Sequence, residues 1–440
     1  MTRYVIIGSG AAGIAAAEEI RKQDPQASIL MLGEERHGYY SRPGLAYYLT
    51  GEIVEEQLFP FGKQDFEHIG LHLLNAQVKH IYPSEHRVAL HNGRQVPYER
   101  LLIATGAQAA STRAPGVDLE GVVKLDSLDD ARRILKLARR ARAAVVVGGG
   151  ITALELVEGL RARGVRTHYF LRRDRYWSNV LDETESHIVE HRLLEEGVKI
   201  HYHTELAEIL GKRGRVAGVL TADGEQVKCG LVAVAIGIKP RTELAEAAGL
   251  EVDRGILVDE YLRTSHADIF AAGDVAQVYD PLSGKSVLDS LWGAARSQGS
   301  SAGQNMGGGA RPYHKSVAFN VTRLAGLTTT IIGTVGRGQD DDLLGIARGD
   351  SETWRELPDV ITAQDNFDVN RLRLLVGAHT LRGSIVMGDQ TLSRPVHQLV
   401  SERVDITAIR EQLLVPGAPI ADLIAGFYTD WNKVHAARQS

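Results

Sequence analysis

The opening of the chain carries the pattern that most restricts its fold. Residues 4–7 form a short apolar run, three glycines then interrupt it, and residues 14–22 are rich in alanine, which predicts a strand, a glycine turn and a helix. The glycines are Gly8, Gly10 and Gly13. Such a turn lets the backbone approach a pyrophosphate closely and directs the positive end of the helix dipole at the phosphate charge. The alternative is an ordinary strand-to-helix turn.

An acidic residue stands where a dinucleotide site requires one. The next apolar strand, predicted over residues 28–32, is followed by Glu34, which lies 24 positions after Gly10. A carboxylate at about this spacing accepts hydrogen bonds from the ribose of a bound dinucleotide. The start of the chain therefore predicts a strand, helix and strand unit that holds a dinucleotide.

The same pattern returns in residues 143–164, with Gly148, Gly150 and Ala153 at the fingerprint positions. Two copies need two independent coincidences of strand, turn and helix, so two bound nucleotides are expected. The following strand, predicted over residues 167–171, is succeeded by Arg172 and Arg173 rather than by an acid. Because an acid would bind a ribose 2′-hydroxyl and repel a 2′-phosphate, these arginines favour NADPH or the use of both nicotinamide nucleotides. The alternative is a solvated loop face.

Further stretches are suited to lie beside a large ligand. Residues 101–107, LLIATGA, predict a buried strand that ends at Thr105 and Gly106, which leave room for one. Residues 269–271 predict a strand that delivers Gly273 and Asp274 to its end, where the carboxylate can accept hydrogen bonds from sugar hydroxyls. The alternative is an aspartate that caps the next segment. Residues 291–306 predict a helix of small residues whose N-terminus can approach a ligand.

The aromatic stretch HGYYSRPGLAYYLTGE, residues 37–52, predicts a ligand-covering loop that leads into a helix. A hairpin is predicted around Asn92-Gly93 and a basic helix over residues 127–142. After a glycine linker, the end of the chain predicts two strands, residues 371–376 and 384–388, and closing helices. The segment 336–363 is predicted to be the least structured part.

Composition limits the class of protein. The chain has 440 residues, a mass of 48.0 kDa and a net charge of −5 with both signs interspersed, which indicates a multi-domain enzyme and gives no case for nucleic acid. No apolar stretch approaches the ~20 residues of a membrane span, and the N-terminal run is too short for a signal peptide, so a cytoplasmic location is expected. The single cysteine, Cys229, excludes an internal disulfide and a cysteine redox pair.

No metal site is predicted. His187 and His191 stand one turn apart on a predicted helix over residues 182–196, in a spacing that zinc hydrolases use, but no third ligand is evident. His201 and His203 alternate along a predicted strand, which indicates two exposed histidines. Asp340 and its neighbours lack the spacing of a calcium loop.

The order of these motifs, GxGxxG, ATG, GxGxxA and then GD, resembles that of the pyridine nucleotide-disulfide oxidoreductase superfamily over residues 1 to about 312. The resemblance implies an α/β fold with two Rossmann-like dinucleotide-binding domains, as in glutathione reductase, plus a C-terminal α+β domain. The implied boundaries are residues 1–112 and 250–312 for FAD, 113–249 for NAD(P)H, and 313–440 for the last domain. In this superfamily that domain commonly forms a dimer interface, so a homodimer is possible.

The resemblance also assigns the site residues. The residues implied to bind FAD are Gly8, Gly10, Ala11, Ala12, Gly13, Glu34, Arg42, Pro43, Thr105, Gly106, Gly273 and Asp274. Those implied to bind NADH or NADPH are Gly148, Gly150, Ile151, Glu155, Arg172, Arg173 and Gly237. The implied catalytic residues are Glu155, Tyr47 and Arg42; for Glu155 the alternative is a plain helix acid.

The loop around Pro43 resembles that of the branch with rubredoxin reductases, ferredoxin reductases and nitrite reductase flavin domains. Where the disulfide- and peroxide-reducing branch carries a redox cysteine, this chain has Pro43; where ferredoxin reductases often carry a lysine, it has Tyr47. The resemblance implies an FAD-dependent NAD(P)H oxidoreductase that passes electrons to a small carrier protein such as rubredoxin or ferredoxin. The alternatives are an NAD(P)H oxidase that reduces O₂ mainly to hydrogen peroxide and a redox-sensing flavoprotein with a binding role.

Overall fold

The computed structural model describes residues 3–281, 284–335 and 370–439; the predicted acidic loop at 336–363 lies outside these ranges. The fold is α/β. Its described helices are α1 Ala11–Gln23, α2 Gly44–Thr50, α3 Lys63–Ile69, α4 Leu128–Ala138, α5 Ile151–Ala162, α6 Glu183–Glu195, α7 Glu243–Ala247, α8 Trp292–Met306, α9 Ser393–Ser401, α10 Thr407–Leu413 and α11 Ile420–Gln439.

The strands of the first part of the chain are β1 Arg3–Ile7, β2 Ser28–Gly33, β3 Leu71–Asn75, β4 Val78–Tyr82, β5 Arg87–Leu90, β6 Gln95–Pro97, β7 Arg100–Ile103, β8 Ala107–Ala109, β9 Val122–Val123, β10 Ala143–Val147, β11 Arg166–Phe170, β12 Lys199–His201, β13 Leu206–Lys212, β14 Arg215–Thr221 and β15 Gln226–Val227. Those that follow are β16 Leu231–Val234, β17 Ile238–Pro240, β18 Ile256–Leu257, β19 Ile269–Ala271, β20 Ala276–Asp280, β21 Lys285–Leu288, β22 Phe319–Leu324, β23 Leu327–Gly333, β24 Arg371–Val376 and β25 Leu381–Met387.

The described chain divides into two compact units, of which the first contains residues up to Tyr176 and Leu193–Lys315. Its first parallel sheet has the strand order β19-β7-β1-β2-β3, so β1 lies in the centre with Val5 and Ile6 fully buried. Helix α1 packs closely on α8: a Cβ atom at Gly299 would lie 2.1 Å from the carbonyl oxygen of Ala12. The small residues predicted for the 291–306 helix therefore serve helix packing.

A second parallel sheet of this unit has the order β12-β11-β10-β16-β9. Two connections between the parallel sheets, β8 and β17, pair with each other as an antiparallel ribbon. The predicted hairpin is confirmed by the antiparallel pairing of β5 with β6. The strand pair β13 and β14 was not predicted in full, since only residues 216–221 showed strand periodicity.

The second unit contains residues Trp177–Arg192 and the described residues from Ser316 onward. Its antiparallel sheet, in the order β22-β23-β25-β24, packs on α9, α10 and α11 around a core that includes Ile332, Val396 and Ile424. Strand β24 confirms the prediction for residues 371–376, and β25 begins three residues before its predicted start. Strands β22 and β23 were missed, because their threonines and asparagine are buried within the sheet.

Two helix boundaries differ from the prediction by three or more residues. Helix α1 begins at Ala11, because Gly10 has an extended backbone that ends the turn and the two alanines after it favour helix. Helix α4 ends at Ala138 rather than at residue 142, because the chain turns there to enter β10. Across the described residues, no helix combines the length and the apolar character needed to cross a bilayer.

Candidate active site

One large cavity opens at the carboxyl ends of the first parallel sheet. Its wall includes Ile7, Leu32, Ala76, Ala104 and Ala272, which stand at or just beyond the ends of β1, β2, β3, β7 and β19. The cavity measures about 880 Å³, near the top of the roughly 300–1,000 Å³ range of small-molecule and cofactor sites. A ligand of dinucleotide size is therefore expected there.

The first glycine turn forms one wall of the cavity. Gly8 has φ +116°, and a Cβ atom there would lie 2.1 Å from the carbonyl oxygen of Ala104, so no side chain fits. A Cβ atom at Gly10 would meet no protein atom within 4 Å. Gly10 is also the N-cap residue of α1 and has no side chain to cap it, so the first helical N–H groups stay available to a ligand.

The ends of β7 and β19 form the opposite wall. The Thr105 hydroxyl donates to the carbonyl oxygen of Arg241 at 3.0 Å, which fixes this turn to the β17 connection. The N–H of Gly273 donates to Oε1 of the fully buried Gln298 at 2.8 Å. Because Gly273 has φ +81° and precedes Asp274, this hydrogen bond from α8 orients the turn that brings the aspartate to the cavity.

Three charged residues meet at the cavity wall just beyond strand β17. Arg241 contacts Glu34 and Asp126, each at 3.4 Å, and all three residues line the cavity. Asp126 is buried, with 7% of its surface exposed, whereas the Glu34 side chain is 57% exposed. The acid predicted to bind a ribose thus stands beside a cation that no sequence pattern had indicated.

A second charged group fixes the aromatic loop. The Tyr40 hydroxyl donates to Glu35 at 2.6 Å and accepts the N–H of Leu128 at 3.0 Å. Burial raises the pKa of Tyr40 well above its usual range, so the hydroxyl stays protonated and keeps both bonds. Arg42 pairs with Glu35 and donates to the carbonyl oxygen of Asp126. The loop is therefore held at the entrance to α4.

The second glycine turn has the geometry of the first. Gly148 has φ +145°, and a Cβ atom there would lie 2.1 Å from the carbonyl oxygen of Ala235. Gly150 is the N-cap residue of α5 and forms no side-chain cap. From α5, Thr152 and Glu155 reach the cavity that the first sheet builds. Residues of both nucleotide-binding patterns therefore line one space.

The structure brings most of the predicted residues together. Those that line the cavity are Gly8, Gly10, Ala11, Ala12, Glu34, Arg42, Pro43, Thr105, Gly106, Glu155, Gly273 and Asp274. The predicted residues that do not line it are Gly13, Tyr47, Gly148, Gly150, Ile151, Arg172, Arg173 and Gly237. Gly13 packs against the carbonyl oxygen of Gly8, Tyr47 lies half-buried in α2, and the two arginines are exposed beyond β11.

Several cavity residues were not predicted. Lys124 and Asp126 follow the two-residue strand β9, and Arg241 follows β17. These three belong to connections between sheets, where no periodic pattern marks a site. Trp292 lines the cavity at the N-terminus of the helix predicted over residues 291–306. Tyr39 and Tyr40 also line the cavity, and they belong to the aromatic loop that the sequence predicts to cover a ligand.

The histidine prediction was wrong in part. Strand β12 ends at His201, whose Nε2 lies 3.0 Å from Nδ1 of His168 on β11, so His201 is half-buried. His203 is exposed but lies beyond the strand, with φ +50°. Burial lowers the pKa of both His168 and His201. Within residues 3–281, 284–335 and 370–439, no cluster of three or more metal-binding side chains occurs.

The geometry agrees with the comparisons to known proteins. A family model described as pyridine nucleotide-disulphide oxidoreductase matches residues 2–299. The chain belongs to this family.

Two relatives and one solved structure are similar to this chain. A rubredoxin-NAD(+) reductase of Pseudomonas putida is 34% identical over 276 residues, which cover 62% of this chain and 71% of the relative. An NADH oxidase of Methanocaldococcus jannaschii is 30% identical over 336 residues, 74% of each chain. The crystal structure of a ferredoxin reductase from Rhodopseudomonas palustris shares the fold with a TM-score of 0.81 and 23% identity, covering 96% of this chain and 100% of that one.

As a member of this family, the protein is an oxidoreductase that uses FAD and a nicotinamide nucleotide. The cavity fits FAD in two respects beyond its size. Gly10 leaves open space where a side chain would stand, and the buried Ser290 hydroxyl, which lines the cavity, has no hydrogen-bond partner among the described residues. A bound ligand would explain both features, because it would fill the space beside Gly10 and give the Ser290 hydroxyl a hydrogen-bond partner.

Proposed function

We propose that this protein transfers a hydride from NAD(P)H to FAD and passes the electrons directly to a small one-electron carrier protein of the rubredoxin or ferredoxin class. When bound, FAD accepts two electrons at once and can release them singly. The residues of this chain would hold the two nucleotides in one cavity and orient them for hydride transfer. They would also keep any thiol that could accept electrons away from the flavin.

The main support for this proposal is the residue that stands where the disulfide-reducing branch has its redox cysteine. Pro43 lines the cavity at the position where the disulfide-reducing branch has a redox cysteine. Cys229 is instead buried in a separate apolar cluster with Val145 and Val232. Burial raises the pKa of its thiol to about 12, so it is neither exposed nor ionised at neutral pH. Electrons that reach the flavin therefore have no internal thiol acceptor.

The proposed FAD residues divide into three groups. The uncapped turn at Gly8 and Gly10 would receive the pyrophosphate, Glu34 the adenosine ribose, and Asp274 the sugar-alcohol chain. Glu155, carried by α5 into the same cavity, would orient the nicotinamide amide or a local water. These roles rest on the family pattern and on the position of each residue around the cavity.

We propose that the exposed segment after β11 binds the 2′-phosphate on the adenosine ribose of NADPH. Arg172 and Arg173 are both exposed there and form no ion pair among the described residues, so they are available to a 2′-phosphate. This favours use of NADPH in addition to NADH. Because two relatives are named as NAD(+) reductases, NADH should be tested as a substrate beside NADPH.

The domain assignment follows the two sheets of the first unit. Residues 1–112 and 250–312 would bind FAD, residues 113–249 would bind NAD(P)H, and residues 313–440 would form a dimer or partner interface. The sheet of β22 to β25 and its own apolar core support an independent last domain.

Direct reduction of O₂ is the second candidate, which the similarity to the NADH oxidase of M. jannaschii favours. Stopped-flow reduction with NADH and with NADPH, followed by reoxidation with rubredoxin, ferredoxin and air-saturated buffer, distinguishes the two. The proposal predicts reoxidation by a carrier protein at least about tenfold faster than by O₂. Equal or faster reoxidation by O₂, with stoichiometric hydrogen peroxide, would make the protein an oxidase.

A further inference from the structure

Helix α2 and helix α5 touch at a point that leaves no room for a side chain. A Cβ atom at Gly159 would lie 2.8 Å from Cβ of Leu49. Real Cβ atoms do not approach so closely, and because the Leu49 Cβ is bonded to the backbone, relief requires movement of a helix. Leu49 has 1% of its surface exposed and Gly159 is buried, so the contact is dry.

An arginine on α5 fixes the same contact. Arg163, at the end of α5, donates from Nε to the carbonyl oxygen of Leu49 at 2.8 Å and from Nη2 to that of Tyr48 at 3.0 Å. Both carbonyl groups belong to the last turn of α2, where no helical N–H group can satisfy them. Arg163 therefore caps α2 and holds it against α5.

A second attachment restrains α2 from the side of α4. Arg132 of α4 donates from Nε to Glu55 at 3.0 Å, and the Tyr48 hydroxyl of α2 donates to the same carboxylate at 2.8 Å. Helix α2 is thus connected to both helices that flank β10, which carries the second glycine turn. It cannot slide without breaking polar contacts.

The contact lies one helical turn from the cavity on both helices. Leu45, four residues before Leu49, lines the cavity from α2, and Glu155, four residues before Gly159, lines it from α5. Four residues of helix correspond to about 6 Å along the axis. A displacement at the contact therefore reaches the cavity wall with little attenuation, since a helix moves as a rigid rod.

We propose that Gly159 and Arg163 are positioning residues that set the spacing between the flavin-side helix α2 and the nicotinamide-side helix α5. This inference rests on the proposed function, because only a transfer between two nucleotides makes that spacing matter. Hydride transfer needs the reacting atoms within roughly 3–3.5 Å, and a misplacement of about 1 Å can cost about 100-fold in rate. The close approach at Gly159 brings the two sides of the cavity together.

The test compares Gly159→Ala with a matched control, Gly426→Ala. Gly426 also lies within a helix, α11, but a Cβ atom there meets no atom within 4 Å. In the FAD-loaded protein, Gly159→Ala should retain FAD and bind NADPH within about threefold of the parent, yet be reduced at least about tenfold more slowly. Gly426→Ala should be reduced at the parental rate.

Two further measurements separate spacing from general damage. The double variant Leu49→Gly/Gly159→Ala removes the Leu49 side chain, including the Cβ atom that the new methyl group would meet, and should recover most of the lost rate. The difference spectrum of the oxidised flavin on addition of NADP⁺, which involves no turnover, should shrink in Gly159→Ala and return in the double variant. If Gly159→Ala does not fold, Arg163→Ala replaces it, with the same slow reduction expected.

Each possible result either supports or overturns the inference. A parental reduction rate in Gly159→Ala, or in Arg163→Ala where that variant is used, overturns it, and so does a slow rate that Leu49→Gly fails to recover. A parent protein that holds FAD but is reduced by neither NADH nor NADPH overturns the proposed function itself, and the inference with it.

Discussion

Gly8 and Ala104 are in direct backbone contact: a Cβ atom on Gly8 would lie 2.1 Å from the carbonyl oxygen of Ala104. This contact places the first glycine turn against the end of β7, where Thr105 and Gly106 follow. Two motifs about a hundred residues apart in the sequence thereby form adjacent walls of one cavity. Gly10, two residues further on, faces open space instead. The two glycines of this fingerprint are therefore required for different physical reasons.

Substitution of these two glycines should separate stability from cofactor binding. Gly8→Ala combines a steric overlap with a left-handed backbone and should cost about 3 kcal/mol or more in the free energy of unfolding. Gly10→Ala should cost about 1 kcal/mol or less in the cofactor-free protein but weaken FAD binding at least about tenfold. Thermal unfolding and fluorescence titration with FAD measure the two effects. Unchanged FAD affinity in Gly10→Ala would contradict the assignment of the turn.

Replacement of Gln298 should weaken the hold on FAD from a distance. Gln298→Met keeps the length of the side chain but leaves the buried N–H of Gly273 without an acceptor, which costs about 1–3 kcal/mol. The turn that carries Asp274 should loosen, and the dissociation constant for FAD should rise about tenfold. Gln304→Met on the same helix is the control, because no hydrogen bond depends on that side chain among the described residues. Parental FAD affinity in Gln298→Met would show that the turn is fixed in another way.

Glu155 should act in the reduction step and not in FAD retention. Glu155→Gln removes the charge that α5 brings to the cavity, and we expect flavin reduction by NAD(P)H to slow about tenfold or more at unchanged FAD content. Glu158→Gln serves as the control, since Glu158 lies on the same helix but is not among the cavity-lining residues. A Glu155→Gln protein that is reduced at the parental rate would leave Glu155 with only a structural role.

Cys229 should affect stability at high pH and leave electron transfer unaffected. Burial raises the pKa of its thiol from 9.0 to about 12, so ionisation favours the unfolded chain between these values. The stabilising contribution is complete below about pH 9, and it falls by about 1.4 kcal/mol per pH unit between about pH 9 and pH 12. Cys229→Ala should remove this part of the pH dependence in denaturant titrations and keep the parental reduction and reoxidation rates. A loss of turnover in Cys229→Ala would place a thiol in the electron path.

The local motifs were predictable because each depends on a short stretch of chain. The strand, the turn at Gly8 and the helix after it follow from apolar periodicity and helix propensity within some twenty residues. The parallel sheets also follow, since a strand, helix and strand unit allows few topologies. Even the discontinuous first sheet was implied by the order of the motifs.

The rest of the site could not be predicted, because it is built from contacts between distant segments. Arg241 meets Asp126 across 115 positions, and neither residue belongs to a periodic element. Gly159 looks like an ordinary helix residue until Leu49 is seen beside it. In both cases the residue's role depends on its neighbour in space, which a single sequence does not reveal.

The most direct test of the central claim is an anaerobic titration of the FAD-loaded protein with NADH or NADPH, followed through the absorbance of the oxidised flavin. A flavin without a thiol partner takes up one hydride and no more, so the absorbance should be fully lost at one equivalent of reduced nucleotide per FAD. An end point at two equivalents would reveal a further internal acceptor and contradict direct transfer from the flavin to an external carrier. No loss of absorbance with either nucleotide would contradict the account as a whole.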